Sequence, residues 1–156
     1  MSETLEIERR FLVAPGAWTA GAGVETKQAY LSLDTDRIVR VRVAGDRGFL
    51  TVKGRAAGAA RREWEFEIPA AEAVAMMALA RGDVVHKTRY RIPAAAGLTW
   101  EVDRFHGAND GLVVAEIELP AVDTPLPVRP PWLGAEITGD ARYANSELAQ
   151  RPFRGW

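Results

Sequence analysis

Leu5-Glu6-Ile7-Glu8-Arg9-Arg10-Phe11-Leu12 is the stretch from which the fold can be read. Side chains alternate across a strand, so Glu6, Glu8 and Arg10 share one face while Leu5, Ile7, Arg9 and Phe11 share the other. Two carboxylates ~7 Å apart, the ordinary i, i+2 spacing on a strand face, repel unless water, an arginine or a metal ion intervenes. The same period returns over 26–33, 37–44, 48–54, 61–69, 85–93, 98–106 and 112–119, which with 5–13 makes eight expected strands.

Between these segments the composition sets the connections. Ala44-Gly45-Asp46-Arg47-Gly48 has the residues of a tight hairpin turn, and Gly54 to Ala60 reads as a small, flexible loop. Ala70 to Ala80 is the best helical segment, and a shorter helix is expected around Ala144-Asn145-Ser146-Glu147-Leu148. Prolines from Pro120 to Pro131 exclude regular structure and predict a connector lying on the surface. Trp64 and Trp100 fall opposite the acidic residues of their strands and are expected to pack beneath the 70–80 helix. Trp132 is expected to anchor the connector.

Face by face, the charges segregate. Glu6 and Glu8, Glu101 and Asp103, and Glu116 and Glu118 pair on the first, seventh and eighth strands. Arg40 and Arg42, Thr51 and Lys53, and Lys87 and Arg89 pair on the third, fourth and sixth, while Arg61, Glu63, Glu65 and Glu67 share a face on the fifth. One strand of this kind is the solvated face of an antiparallel sheet. Eight strands can close into a barrel and turn the seven charged faces inward, giving a lumen with an acidic and a basic side. Such a lumen suits a polyphosphate carrying a divalent cation: Mg²⁺ or Mn²⁺ takes oxygen ligands, and arginine and lysine meet the remaining phosphoryl oxygens. Hydrolysis of a phosphoanhydride then needs positioning, charge neutralisation and an in-line water.

The 156 residues, 47% of them apolar, can bury a core and predict a single domain over 1–156. A net charge of -1, from 20 basic and 21 acidic side chains, excludes bulk electrostatic binding of nucleic acid. Without cysteine there are no disulfides, thiolate metal sites or cysteine nucleophiles. Neither a leader nor a membrane span is visible, so a soluble cytoplasmic protein is expected. His86 and His106 lie opposite their charged neighbours and suit packing or surface roles. No Gly-rich phosphate loop or Ser-His-Asp context is present.

The ordered set resembles the CYTH, or triphosphate tunnel metalloenzyme, family, whose mark is a Glu-x-Glu-x-Lys start. Glu6-Ile7-Glu8-Arg9-Arg10 matches it with arginine in the last place. Arg40-Val41-Arg42, Thr51-Val52-Lys53, Arg61 to Glu65, Lys87-Thr88-Arg89-Tyr90, Glu101-Val102-Asp103, Glu116-Ile117-Glu118 and Asp140-Ala141-Arg142-Tyr143 follow in the family's order, most similar to the short, single-domain bacterial type. The resemblance implies a mainly β fold, an eight-stranded antiparallel closed barrel with a few flanking helices. It implies hydrolysis of a triphosphate with Mg²⁺ or Mn²⁺, foremost inorganic tripolyphosphate to diphosphate and phosphate.

By position, Glu6, Glu8 and Glu118 would hold the activating metal, and Asp103 and Glu116 a second metal or the attacking water. Arg40, Arg42, Lys53, Arg61, Lys87, Arg89 and Arg142 would grip phosphates, with Glu63 and Glu65 orienting them. Lys87, Arg10, Tyr30 and Glu116 would form the catalytic group, Tyr30 matching a tyrosine that lies near the lysine of the Lys-Thr-Arg segment. Arg10 keeps the family charge but replaces an ammonium with a planar fork. The expected partner is a small-molecule triphosphate, with no nucleic acid or membrane, on a monomer or homodimer. Thiamine or nucleoside triphosphate hydrolysis, ATP cyclisation, and a non-catalytic polyphosphate-binding module remain as alternatives. An RNA-binding sheet ranks last, because the aromatics lie mostly opposite the charges.

Overall fold

The computed structural model describes residues 2–14, 18 and 21–156, with the side chains of residues 2 and 3 outside the description. The strands are β1 (Ser2–Val13), β2 (Val24–Ser32), β3 (Arg37–Ala44), β4 (Arg47–Ala57), β5 (Ala60–Ile68), β6 (Arg81–Pro93), β7 (Thr99–Phe105), β8 (Val113–Glu118) and β9 (Leu133–Glu136). Their order is β5-β4-β3-β2-β6-β7-β8-β1-β9, and β5 also pairs with β1. That extra pairing closes eight antiparallel strands into a barrel and leaves β9 attached outside the circuit. β1 does the closing: Leu5 to Ile7 pair with β5, and Glu8 to Leu12 pair with β8.

β9 is the strand that periodicity does not announce. It has four residues, follows Pro130-Pro131 and contains Gly134, so neither length nor pattern marks it. Tertiary contact creates it. A Cβ at Gly134 would stand 2.9 Å from the Leu12 carbonyl oxygen, so only glycine permits this approach to β1. Arg9 and Glu136 then pair across the two strands on the outer face.

The expected loop over 54–60 is instead a hairpin. β4 continues to Ala57, β5 begins at Ala60, and Gly58 turns between them at φ +62°. Its small side chains reflect two strands running past the barrel wall, with the register shifting between Lys53 and Ala56. The helix α1 (Ala70–Met76) tightens into a 3₁₀ turn at Met77–Leu79 and packs on β3 and β4. Trp100 does not lie beneath it. That ring stacks edge-to-face on Phe11 at 5.7 Å and on Trp132 at 5.9 Å, so the connector, not the helix, covers this side of the barrel. Trp64 carries the Arg62 guanidinium 5.0 Å over its ring. Trp132 is buried, anchoring the irregular 120–131 connector as expected.

Two apolar clusters result, and they differ in kind. Ile7, Phe11, Trp100, Val102, Ala115 and Ile117 form a core outside the barrel wall. Tyr30, Ile38, Val85, Phe105, Leu112 and Val114 form the second, together with Ile137 and with Leu148 and Ala149, at the end of the short helix α2 (Asn145–Leu148) and just beyond it. By strand parity Tyr30, Ile38, Val85, Phe105 and Val114 share the inward face with the charged residues, with Leu112 just before β8, so apolar side chains fill one end of the lumen and charged ones line the rest. No described helix is long and apolar enough to cross a membrane.

Candidate active site

Above that apolar floor lies a cavity of about 270 Å³. Its walls are the charged inward faces: Glu6, Glu8 and Arg10 from β1, Glu116 and Glu118 from β8, Arg40 and Arg42 from β3, and Lys53 from β4. Arg61, Glu63 and Glu65 come from β5, and Lys87, Arg89 and Arg91 from β6, with Glu101 from β7. Strand register decides which charges meet. Glu8 stands opposite Glu118, Arg10 opposite Glu116, Glu6 opposite Arg61, Lys53 opposite Glu63, and Arg89 opposite Asp103.

The basic wall carries its own counter-ions. Arg40 and Arg42 reach Glu65 at 3.6 and 3.4 Å, and Lys53 reaches Glu6 at 2.8 Å and Glu63 at 3.4 Å. Arg89 donates to both oxygens of Asp103 at 2.7 and 2.8 Å, to Glu116 at 2.6 Å and to Glu101 at 3.1 Å. Lys87 donates to Asp103 at 2.6 Å and to Asn145 at 3.2 Å. These contacts hold long side chains in fixed positions. The Nε atoms of Arg10, Arg40, Arg42 and Arg61 are nonetheless buried without a hydrogen-bond partner among the described residues, so donors remain for an oxygen-rich ligand.

The acidic wall is differently placed. Burial, then the charges of Glu116 and Glu6, push the Glu8 carboxyl up to about 8. Glu118 is also raised, by burial and by Glu6, Glu101 and Glu116. Neither makes a hydrogen bond or ion pair with a described residue, though the two face each other in register. Burial opposes the charge on Glu6 too, but Lys53, a hydrogen bond from Glu63 and the nearby Arg40 together outweigh it and draw Glu6 down to about 2. Glu63 keeps the proton and rises to about 7, chiefly through burial. Glu116 is held low despite its burial because Arg89 lies against it.

Can this wall take a divalent cation? Its donors are all carboxylate oxygens, and two of the crowded carboxylates lack a counter-charge, which fits a hard ion. Among the described residues no three potential ligands already stand as a closed shell. A few carboxylates completed by phosphate oxygens and water is the usual pattern for Mg²⁺.

Two expected site residues lie elsewhere. Asp103 is 1% exposed and outside the cavity lining, its oxygens taken by Lys87 and Arg89; burial resists its charge, but those two cations hold it well below the usual carboxylate range. It anchors the basic wall. Arg142 sits outside the cavity, paired with Asp140 at 2.7 Å and lying over Tyr143 and Trp156. Gln28, Asn145 and Ser146, by contrast, were not singled out from sequence. Gln28 shares strand parity with Tyr30, which was a readable signal; Asn145 reaches the lumen from the short helix after the barrel, and nothing in its local pattern predicts that. The histidines lie together away from the lumen, their rings 4.8 Å apart, His86 bonded to Glu25 and His106 to Thr88.

The family model of the CYTH domain matches residues 4–151 of this closed barrel. The chain belongs to the CYTH family. An inorganic triphosphatase of Acetivibrio thermocellus is 46% identical over 153 residues, covering 97% of each chain. An inorganic triphosphatase of Nitrosomonas europaea is 36% identical over 146 residues, covering 92% of this CYTH chain and 96% of its own. The crystal structure of an inorganic triphosphatase superposes with a TM-score of 0.64 at 34% identity, covering 92% of this chain and 93% of that one.

Proposed function

We propose that the chain is a metal-dependent triphosphatase that hydrolyses inorganic tripolyphosphate to diphosphate and phosphate. One observation carries the substrate choice: the cavity is lined by charge almost throughout, with Tyr30 its only aromatic and Ile38 and Ala144 its only aliphatic residues among those described. A nucleobase or thiazole ring would find little apolar surface there, whereas three linked phosphates would find donors along the whole basic wall. The two curated relatives named above bear the matching name, inorganic triphosphatase.

In this reading Arg40, Arg42, Lys53, Arg61, Lys87 and Arg89 hold the phosphate chain, and the carboxylates behind them keep those side chains extended. Glu8 and Glu118 would hold a divalent cation, with Glu6 available once Lys53 turns to phosphate; that ion would neutralise charge on the phosphoryl oxygens. Glu116, fixed between Arg10 and Arg89, accepts a hydrogen bond from the attacking water. The water oxygen bonds to the terminal phosphorus as the bridging P–O bond breaks, the electron pair leaves on diphosphate, and of the water's two protons one stays on the new orthophosphate as its hydroxyl and the other passes to a phosphate oxygen of the departing diphosphate. Mg²⁺ and Mn²⁺ both fit the donor set.

The test is phosphate release from tripolyphosphate, ATP and thiamine triphosphate with Mg²⁺, with Mn²⁺ and with chelator. Chelator-sensitive release favouring tripolyphosphate is expected. Metal-dependent binding without release would make the chain a polyphosphate-binding module, with Arg10 in the lysine position as the first residue to revert.

A further inference from the structure

At the floor of the cavity a chain of side chains fixes which atoms donate and which accept. Lys87 can only donate, and it donates to Asn145 Oδ1 at 3.2 Å. That contact settles the Asn145 amide, leaving Nδ2 as its donor end. Gln28 Nε2 also donates to Asn145 Oδ1, at 3.0 Å, and to the Tyr30 hydroxyl oxygen at 3.0 Å. Turning the Gln28 amide over would set its oxygen against Asn145 Oδ1, so Lys87 settles this amide as well. The Tyr30 oxygen therefore accepts from Gln28, and its own O–H proton is free to point elsewhere. Tyr30 and Asn145 both line the cavity, and no described residue accepts a hydrogen bond from Asn145 Nδ2. Gln28 itself is fully buried, with Oε1 unpartnered, a cost that makes sense if the position is held for its donor end.

We propose that Gln28 and Asn145 form a polarity clamp that turns the Tyr30 hydroxyl and the Asn145 amide into two neutral donors for one phosphate group seated at the cavity floor. The inference rests on the triphosphatase reading and adds a phosphate subsite to it. Tyr30 and Asn145 touch the phosphate, and Gln28 is a positioning residue. Because the second apolar cluster fills the lumen beneath them, this is where an end phosphate of the chain comes to rest.

Binding of inorganic tripolyphosphate to the full chain in chelator, followed by calorimetry, tests the clamp without turnover. Tyr30→Phe and Asn145→Asp, the latter keeping Oδ1 for Lys87 and Gln28 but losing the amide donor, should each weaken binding roughly 10-fold, the scale of one hydrogen bond to a charged group. Gln28→Met should weaken it similarly alone, yet add little in the Tyr30→Phe background. Additive losses, or wild-type affinity in Asn145→Asp, would overturn the clamp, while phosphate release by the parent protein would leave the triphosphatase reading standing. No tripolyphosphate binding by the parent protein would overturn both. Unfolding midpoints show whether Gln28→Met still folds; if it does not, the other two variants decide.

Discussion

The two walls of the lumen are built from the same strand pattern and end in opposite electrostatic states. Each cation of β4 and β6 that lines the lumen has a carboxylate within 3.5 Å, whereas Glu8 and Glu118 face each other with no cation among the described residues bonded to either. Ionising both would set two like charges side by side, which at about 4 Å costs on the order of 4 kcal/mol at an effective dielectric near 20, and Glu8 instead holds its proton up to about pH 8. The basic wall is thus organised before any ligand arrives, and the acidic wall is left short of positive charge. An enzyme that binds its anion and its metal together would gain from that asymmetry: a metal would supply the positive charge that lets Glu8 give up its proton.

Removing a carboxylate from the acidic wall is the strongest way to break the comparison. Glu118→Ala should lower kcat/KM for tripolyphosphate by about 10²–10³-fold, the scale of losing a group that stabilises transition-state charge, with folding retained. Near-normal hydrolysis would remove β8 from the metal site.

On the basic wall the largest effect should fall on stability. Arg89→Met leaves Asp103 with Lys87 as its one ion-pair partner among the described residues and exposes Glu116 to its acidic neighbours; breaking one side of a buried ion pair costs about 3–5 kcal/mol. Urea denaturation measures it. A cost below about 1 kcal/mol would mean that the network is not what orders this wall.

A smaller effect tests the unpaired state of Glu8 directly. Folded Glu8 keeps its proton up to about pH 8, and the unfolded side chain releases it near 4.5. Between those values the folded state binds more protons, so stability of the metal-free protein falls as pH rises through this window. Glu8 is only half-buried, so solvent screening holds the contribution to a few kcal/mol at roughly 1.4 kcal/mol per unit. Glu63 adds to the same slope up to about pH 7. Glu8→Gln should flatten the slope, and Mg²⁺ should flatten it in the parent protein by binding the folded state. An unchanged slope in Glu8→Gln would place the unpaired charge elsewhere.

The contrast between the walls was only half legible in the sequence. Strand parity put Glu6, Glu8, Arg40, Arg42, Lys53 and Lys87 on inward faces, because period two is a local property of the chain. Which charge neutralises which depends on register across strands far apart in sequence, so the pairing of Arg89 with Asp103 and the isolation of Glu8 could not be read. Asp103 and Glu101 carry the same parity, yet one is sealed beneath Lys87 and Arg89 while the other lines the cavity. Parity likewise did not reveal where the charged lining ends, since Val85 and Phe105 point inward too and close the lumen from below. β9 and Asn145 owe their places to packing after the barrel is formed.

Arg142 gives the smallest expected effect and the sharpest check on transferring roles by motif. Its segment matches the family order, but its guanidinium binds Asp140 and lies over Tyr143 at 5.4 Å and Trp156 at 5.6 Å, with two thirds of the side chain exposed. An exposed pair of this kind contributes little to folding, and a cation outside the lumen contributes to phosphate binding only through a field that salt screens. Arg142→Ala should therefore leave kcat and KM for tripolyphosphate within about 2-fold of the parent at physiological ionic strength. A rise in KM approaching the roughly 10-fold expected for a charge-assisted phosphate contact would mean that residues 140–143 turn into the lumen when substrate binds, extending the basic wall past the barrel by one residue that the ligand-free fold holds outside.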